Sequence, residues 1–377
     1  MNTVYAVAAK RTPVASRNGV LKHLDAWQLG AFVIRSVLDE FSIEPDAVDL
    51  VLMGNALYAG GNPARLAALE AGLPVSVTAQ TIDTQCCAGL DAIITGARMI
   101  QSGAANVVIA GGIESFSRAP QRSRRGLTDM RLLEPYDRPP FSPWPEHDPD
   151  MLESAAQLAT ERSISREAQA RYAVASHHKA LAGHSNTDEI VPVAGVKADS
   201  FTRPLDQRIC SRARVVAGDA KTGLTHATIA VEADAAAVVV LVGESAIANH
   251  KSNAAIIEFI DGRAAGCDPA MPALAPITAT KTLLDSRSVS VEQLSRVELM
   301  EAFAVQAMVC QQECGFDNSA INRGGGALAR GHPIGASGAI LAVRLWHEMC
   351  AAQSGEYGLA TIAAAGGLGT AALWRKV

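Results

Sequence analysis

The sequence predicts a layered α/β protein made of two similar halves with a polar insertion between them. Three observations lead there. Short apolar runs rich in β-branched residues alternate with amphipathic stretches through the first 116 residues, as expected of strands covered by helices. Features of that region return in the same order near the other end. Val48-Asp49-Leu50 is echoed by Val297-Glu298-Leu299, and Gly111-Gly112 by Gly366-Gly367, at spacings that differ by only about six residues, the mark of an internal duplication. Between the halves, Ser117–Pro149 is crowded with Pro, Arg and Trp, and polar text continues to Lys221.

Taken in order, residues 4–8 (VYAVA) read as a first strand, followed by a loop at Lys10-Arg11-Thr12-Pro13. A helix runs from about Ala26 to Phe41. Residues 48–53 read as a strand ending at Gly54-Asn55, and residues 63–71 as a helix. The stretch Gln80–Ile94 approaches as a strand, breaks at Asp83-Thr84-Gln85, and opens a small-residue helix on two cysteines. Asn106–Ala110 is a buried strand closed by Gly111-Gly112. Inside the insertion a helix spans about Ser165 to Gly183, and Val231–Gly243 returns to buried strand. In the second half, the Gly-rich loop of 324–340 leads into a small-residue helix where the Cys86 loop stood in the first, and Leu359–Ala365 ends at Gly366-Gly367. The expected division is residues 1–116 plus 222–249 as one half, 117–221 as a lid, and 250–377 as the other half.

Composition narrows the function classes. Aromatics make up 5% of the chain while Gly is abundant, which suits close approach of buried backbones. The net charge of −5 calls for no nucleic acid. The longest apolar run, Ala235–Gly243, is too short to span a membrane, and the N-terminus has no export signal. The seven cysteines are odd in number and lack framework spacing, so reduced thiols in a cytoplasmic protein are expected. Cys310 and Cys314 share a helical face without a His or Cys cluster to complete a metal site, so no metal or redox cofactor is expected.

Cys86 is the candidate nucleophile. At the start of a helix, free backbone N–H groups and the helix dipole converge on its sulfur, which is expected to favour a thiolate. Arg118, Arg122, Arg124 and Arg125 form a cationic cluster suited to phosphate, to solvent or to a subunit contact.

The motifs resemble the thiolase family over essentially the full chain. Arg11-Thr12-Pro13, Gly54-Asn55, the Cys86 segment, Gly111-Gly112-Ile113-Glu114-Ser115, Ser165-Arg166-Glu167, Glu189-Ile190-Val191-Pro192, Glu301-Ala302-Phe303-Ala304 and Gly331-His332-Pro333-Ile334-Gly335 stand in the family's order. The resemblance implies a duplicated five-layered αβαβα fold with an inserted loop domain, a homodimer or homotetramer, and acyl thioesters of coenzyme A as substrates. It places the nucleophile on Cys86 and its histidine partner on His332. The oxyanion hole falls on the backbone N–H groups of Cys86 and Ala365. Arg203 falls where an arginine approaches the nucleotide of coenzyme A, Met151 along the pantetheine and acyl group, and Ala230 where a serine is common near the pantetheine. The other histidines (23, 147, 177, 178, 184, 226, 250 and 347) are expected to be structural or solvated, His226 least securely.

Two departures bear on mechanism. The family's second catalytic cysteine, which moves the proton at the acceptor's Cα, is Ala363 here, and the Asn before Glu301 is Met300. A methyl moves no proton, and a thioether donates no hydrogen bond. The leading expectation is therefore an acyltransferase that forms acyl-Cys86 and hands the acyl group to an acceptor not requiring that cysteine. The alternatives are an acetyl-CoA acetyltransferase or 3-ketoacyl-CoA thiolase with a substitute base, and a non-catalytic CoA-binding subunit. Cys87 is expected to point elsewhere on the helix and not to be that base.

Overall fold

A computed structural model describes residues 2–58, 60–183, 188–247 and 255–377. The boundary expected at 249/250, together with His184 and His250, lies outside the described residues. The main strands are β1 (Val4–Arg11), β2 (Leu50–Gly54), β3 (Thr78–Ile82), β4 (Val107–Ser115), β5 (Ala233–Gly243), β6 (Ile257–Gly266), β7 (Leu294–Leu299), β8 (Tyr357–Ala364) and β9 (Leu368–Lys376). The helices that position the site are α1 (Ala26–Glu40), α2 (Pro63–Glu70), α3 (Ala88–Gln101), α4 (Met151–Glu161), α5 (Arg166–Ala182), α6 (Ala275–Arg287), α7 (Ala304–Cys314) and α8 (Ile334–Cys350).

The strands run in the order β3-β2-β4-β5-β1 and then β6-β9-β8-β7, the two runs of strands joined where Val4, Tyr5 and Ala6 pair with Phe259, Glu258 and Ile257. Each half repeats one pattern. β3, β2 and β4 are parallel neighbours and β5 and β1 antiparallel. Likewise Ile321 bridges Val297 in parallel, β7 pairs β8 in parallel, and β9 and β6 are antiparallel. The sequence echo is thus a duplication of topology.

Helices α1 and α2 cover the outer face of the first half, α6 covers that of the second with α7 against it, and α3 and α8 are sandwiched between the sheets, touching both. The molecule has five layers, αβαβα. Small residues make the middle layer possible. A Cβ added at Gly89 of α3 would lie 2.7 Å from the Gly335 carbonyl and 2.8 Å from the Ala339 amide of α8, so the two helices touch backbone to backbone.

Two local expectations are corrected. Lys10 and Arg11 do not begin a loop but remain in β1, paired with Val238 and Ala237. The Arg11 guanidinium needs no water there because Glu189 (2.6 Å) and Asp199 (2.7 Å) of the insertion neutralise it. The glycine pairs also behave differently. β4 runs through Gly111-Gly112 to Ser115, because α8 passes so close that a Cβ at Gly112 would meet the Gly335 carbonyl at 2.2 Å. Gly366 and Gly367, by contrast, take φ of 80° and 76° and form the turn from β8 into β9.

Residues 117–221 hold α4, α5 and a hairpin of Arg122–Arg125 with Leu133–Tyr136. They dock through a buried charge network in which Glu189 binds Arg11 and Arg344 (2.7 Å), and Asp199 binds Arg11 and Arg330 (3.2 Å). These cations hold both carboxyls well below their usual range despite burial. Among the described residues, no helix is long and apolar enough to cross a membrane.

Candidate active site

The middle layer brings the two functional loops together. Cys86 lies in a single 3-10 turn, Gln85–Cys87, that feeds α3, and His332 lies just ahead of α8. The Cys86 sulfur and His332 Nε2 are 3.2 Å apart, although the residues are 246 positions apart in the chain. Gln85 takes a left-handed φ of 56°, a strained conformation for a residue with a side chain, and Asp83 Oδ1 holds it by accepting from the Gln85 amide (2.9 Å) and its Nε2 (3.0 Å). Gly331 has φ 119°, and its neighbour's amide, His332 N, donates to the Val231 carbonyl at 2.7 Å. This fixes the imidazole from the backbone side.

The expected thiolate is not the resting state. Burial pushes the Cys86 thiol up to about 12, outweighing the Cys86 and Ala365 backbone N–H groups that face the sulfur, and Glu114 and Asp83 add negative field. Burial also pushes His332 down to about 4. Both shifts favour a neutral thiol beside a neutral imidazole.

Three residues overlooked in the sequence hold this geometry. Ser337, one turn into α8, bonds His332 Nδ1 at 2.6 Å. Glu114, at the end of β4, accepts from Asn55 Nδ2 (2.8 Å) and from the amides of Ala56 (3.0 Å), Leu57 (3.3 Å) and Gly335 (3.0 Å), tying the histidine loop of one half to the other. Its burial raises its pKa to about 7 against the pull of those donors. Asp91 accepts from Thr84 (2.5 Å) beside the nucleophile and from Thr370 (2.8 Å) of β9. Glu114 stood in a quoted motif, but nothing in its spacing announced four donors drawn from two distant segments.

Val231, whose carbonyl holds the His332 amide, also lines a groove of roughly 460 Å³ together with Phe201, Arg203, Leu205, His226 and Ala230, among others, so Arg203 and Ala230 share one groove. The Arg203 guanidinium stacks 4.0 Å over Phe201 and donates to the Phe201 carbonyl at 3.3 Å, with no carboxylate paired to it among the described residues. Met151, half-buried at the start of α4, does not line this groove. His226 does. His177 is buried and bonds the Arg203 amide, His347 is half-buried and bonds the Ala9 carbonyl, and His147 pairs Asp268 on the surface.

Ala363 sits at the end of β8, paired with Gly369, and presents only a methyl. Met300 is 1% exposed in the core, and the nearby Asn322 is already committed to Leu299 and Glu301. Cys87 is buried with its sulfur 3.6 Å from the Ile362 carbonyl. The four arginines of the insertion are each bonded within the chain: Arg118 to Asp25, Arg122 to the Ala56 carbonyl, Arg124 to Glu134 and Arg125 to the Met130 carbonyl.

The profile of the thiolase N-terminal domain matches residues 4–245, and that of the thiolase C-terminal domain residues 251–376. A Bacillus subtilis protein provisionally named acetyl-CoA C-acetyltransferase YhfS is 39% identical over 99% of both chains. A Staphylococcus aureus protein provisionally named acetyl-CoA C-acetyltransferase VraB is 36% identical over the whole of both. Among solved structures, an acetyl-CoA acetyltransferase from Bacillus anthracis superposes with a TM-score of 0.91 at 28% identity over 100% of this chain and 99% of that one. Human mitochondrial 3-ketoacyl-CoA thiolase in complex with CoA superposes at 0.92 with 29% identity over 100% and 98%. The chain belongs to the thiolase family and is an acyltransferase of the acetyl-CoA acetyltransferase-like type.

Proposed function

We propose that this protein loads an acyl group from an acyl-CoA thioester onto Cys86 and passes it to an acceptor that needs no proton removed from a weakly acidic carbon. The observation that carries this reading is the contrast between the 3.2 Å thiol–imidazole contact and the methyl of Ala363 at the acceptor position. In the first half-reaction the Cys86 sulfur attacks the thioester carbonyl as its proton moves to His332. The backbone N–H groups of Cys86 and Ala365 receive the developing oxyanion, and His332 returns the proton to the departing coenzyme A thiol. The groove holds the cofactor-like portion of the substrate, with Arg203 as its cation and Ala230 beside the pantetheine. An amine, a hydroxyl, a thiol or an already acidic carbon suits the second half-reaction.

The relatives' names favour a second reading, an acetyl-CoA C-acetyltransferase that uses another base. Of the carboxylates that act on the Cys86 sulfur, Glu114 is occupied by four N–H donors, which leaves the exposed Asp83 for that role. The exposed Leu127, Met130, Leu132 and Leu133 on and beside the insertion's hairpin support assembly as a homodimer or homotetramer.

Intact-protein mass spectrometry after mixing with a panel of acyl-CoAs tests the first half-reaction. A covalent adduct absent from C86A supports it and names the donor. No adduct with any donor, despite CoA binding, favours a non-catalytic subunit. Rapid interconversion of acetyl-CoA and acetoacetyl-CoA by the unaltered protein would establish the second reading instead.

A further inference from the structure

A cavity of about 20 Å³, room for one water, lies between β7 and α8. Glu298 reaches it from β7 and Met300 from the position just past the strand's end, and Ser337, Leu341 and Arg344 from one face of α8. Two buried polar atoms on its walls have no partner, Glu298 Oε2 and Arg344 Nε. Glu298 is 2% exposed, and its contact with Arg344 is a loose 3.8 Å. Buried polar atoms of this kind are normally satisfied by protein or by ordered water.

The hydrogen-bond direction is fixed from the other end. His332 Nε2 faces the protonated Cys86 sulfur and must accept, so Nδ1 carries the ring proton and donates to Ser337 Oγ. The Ser337 hydroxyl keeps its own proton and is free to donate onward, with the cavity beside it.

We propose that Glu298 is a positioning residue for His332, joined to it through Ser337 and one water that accepts from the Ser337 hydroxyl and from Arg344 Nε–H and donates to Glu298 Oε2. The hydrogen bonds then run in one direction from the Cys86 thiol to a buried carboxylate. When Glu298 is ionised, its field favours the imidazolium and with it the thiolate; when it is protonated, that support is withdrawn. Arg344 of α8 and Arg330 favour the ionised carboxylate, Glu348 of α8 and Glu189 of the insertion oppose it, and burial outweighs the arginines, so that the group titrates at about 7. Met300 closes the cavity without competing for the water, because a thioether donates no hydrogen bond.

The inference rests on Cys86 and His332 acting as a pair, and its test needs neither substrate nor acceptor. The full-length protein is alkylated with iodoacetamide between pH 5.5 and 9, and the rate at Cys86 is read by peptide mass spectrometry. The unaltered protein should show a rise of about 3–10-fold centred near pH 7, the size expected of a pKa shift of half to one unit in a coupled neighbour, below the steeper rise of the thiol itself. E298Q should lose the step near pH 7 and keep the steeper rise. S337A should do the same, and the double variant should lose nothing more. S337A cuts the chain without unpairing a buried arginine, so a retained step in S337A overturns the relay even if E298Q fails to fold. If H332A leaves the profile of the unaltered protein unchanged, the pairing of Cys86 with His332 falls; if H332A changes it while E298Q and S337A do not, only the relay falls.

Discussion

The two sides of the Cys86 sulfur are unequally equipped. On the side proposed to load the acyl group, Cys86, His332, Ser337, Glu114 and two backbone N–H groups form a connected polar set drawn from both halves of the chain. On the side that would receive the acceptor, Ala363 offers a methyl and Met300 a buried thioether. One fold can therefore keep the support for thioester attack intact while giving up the groups needed to handle a carbanion. Most members sit on different elements, Cys86, His332 and Glu114 at the ends of α3, α8 and β4, and Met300 and Ala363 at the ends of β7 and β8, but the sets adjoin at Ala365 and at the small cavity that Met300 and Ser337 both line.

The sharpest way to break this comparison is C86A, which should abolish the acyl adduct and lower any acyl transfer by at least about 10⁴-fold, measured by single-turnover release of CoA. H332A should slow the same step by about 10²–10⁴-fold without removing the nucleophile. From the other side, A363C restores a thiol to the end of β8. If the acceptor side lacks chiefly its base, A363C should raise acetoacetyl-CoA thiolysis by about 10²-fold or more while adduct formation changes little. An A363C protein that gains nothing would show that Met300 also blocks the step, and adding M300N is then the variant to assay.

E114Q should act on the loading side alone. An amide cannot accept from four N–H groups, and leaving them short costs about 1–3 kcal/mol in chemical denaturation, with slower acylation as the His332 loop loosens. Acid stability gives the finest distinction. His332 is held at about 4 in the folded protein against about 6.5 when unfolded, so its contribution is full above pH 6.5 and is lost as pH falls from there through 4. That loss amounts to about 3 kcal/mol. H332N should lack it, seen as a smaller fall in denaturation midpoint between pH 7 and 4 than the unaltered protein shows.

Several features were legible in the residues themselves. Small-residue helices announced the packed middle layer, because only Gly and Ala allow the backbone contact seen at Gly89. The repeated Val-acid-Leu and glycine-pair spacing announced the duplication, because equivalent strands come in the same chain order and take equivalent places in each half. Cys86 and His332 were named from short motifs and lie 3.2 Å apart, and Arg203 and Ala230 both line one groove. Met151 does not reach it, since its position depends on how α4 docks, which no local pattern encodes.

By itself, then, the sequence determined the element types, the duplication and the motifs that carry Cys86 and His332, each read from short stretches of the chain. Tertiary structure alone decided the rest. Burial between two sheets turned the expected thiolate into a thiol at about 12, because desolvation of a charge outweighs two backbone N–H groups. Glu114 acquires its place at the histidine loop only when α8 closes against the first half, because its bond to the Gly335 amide joins residues 221 positions apart and exists only in the assembled fold.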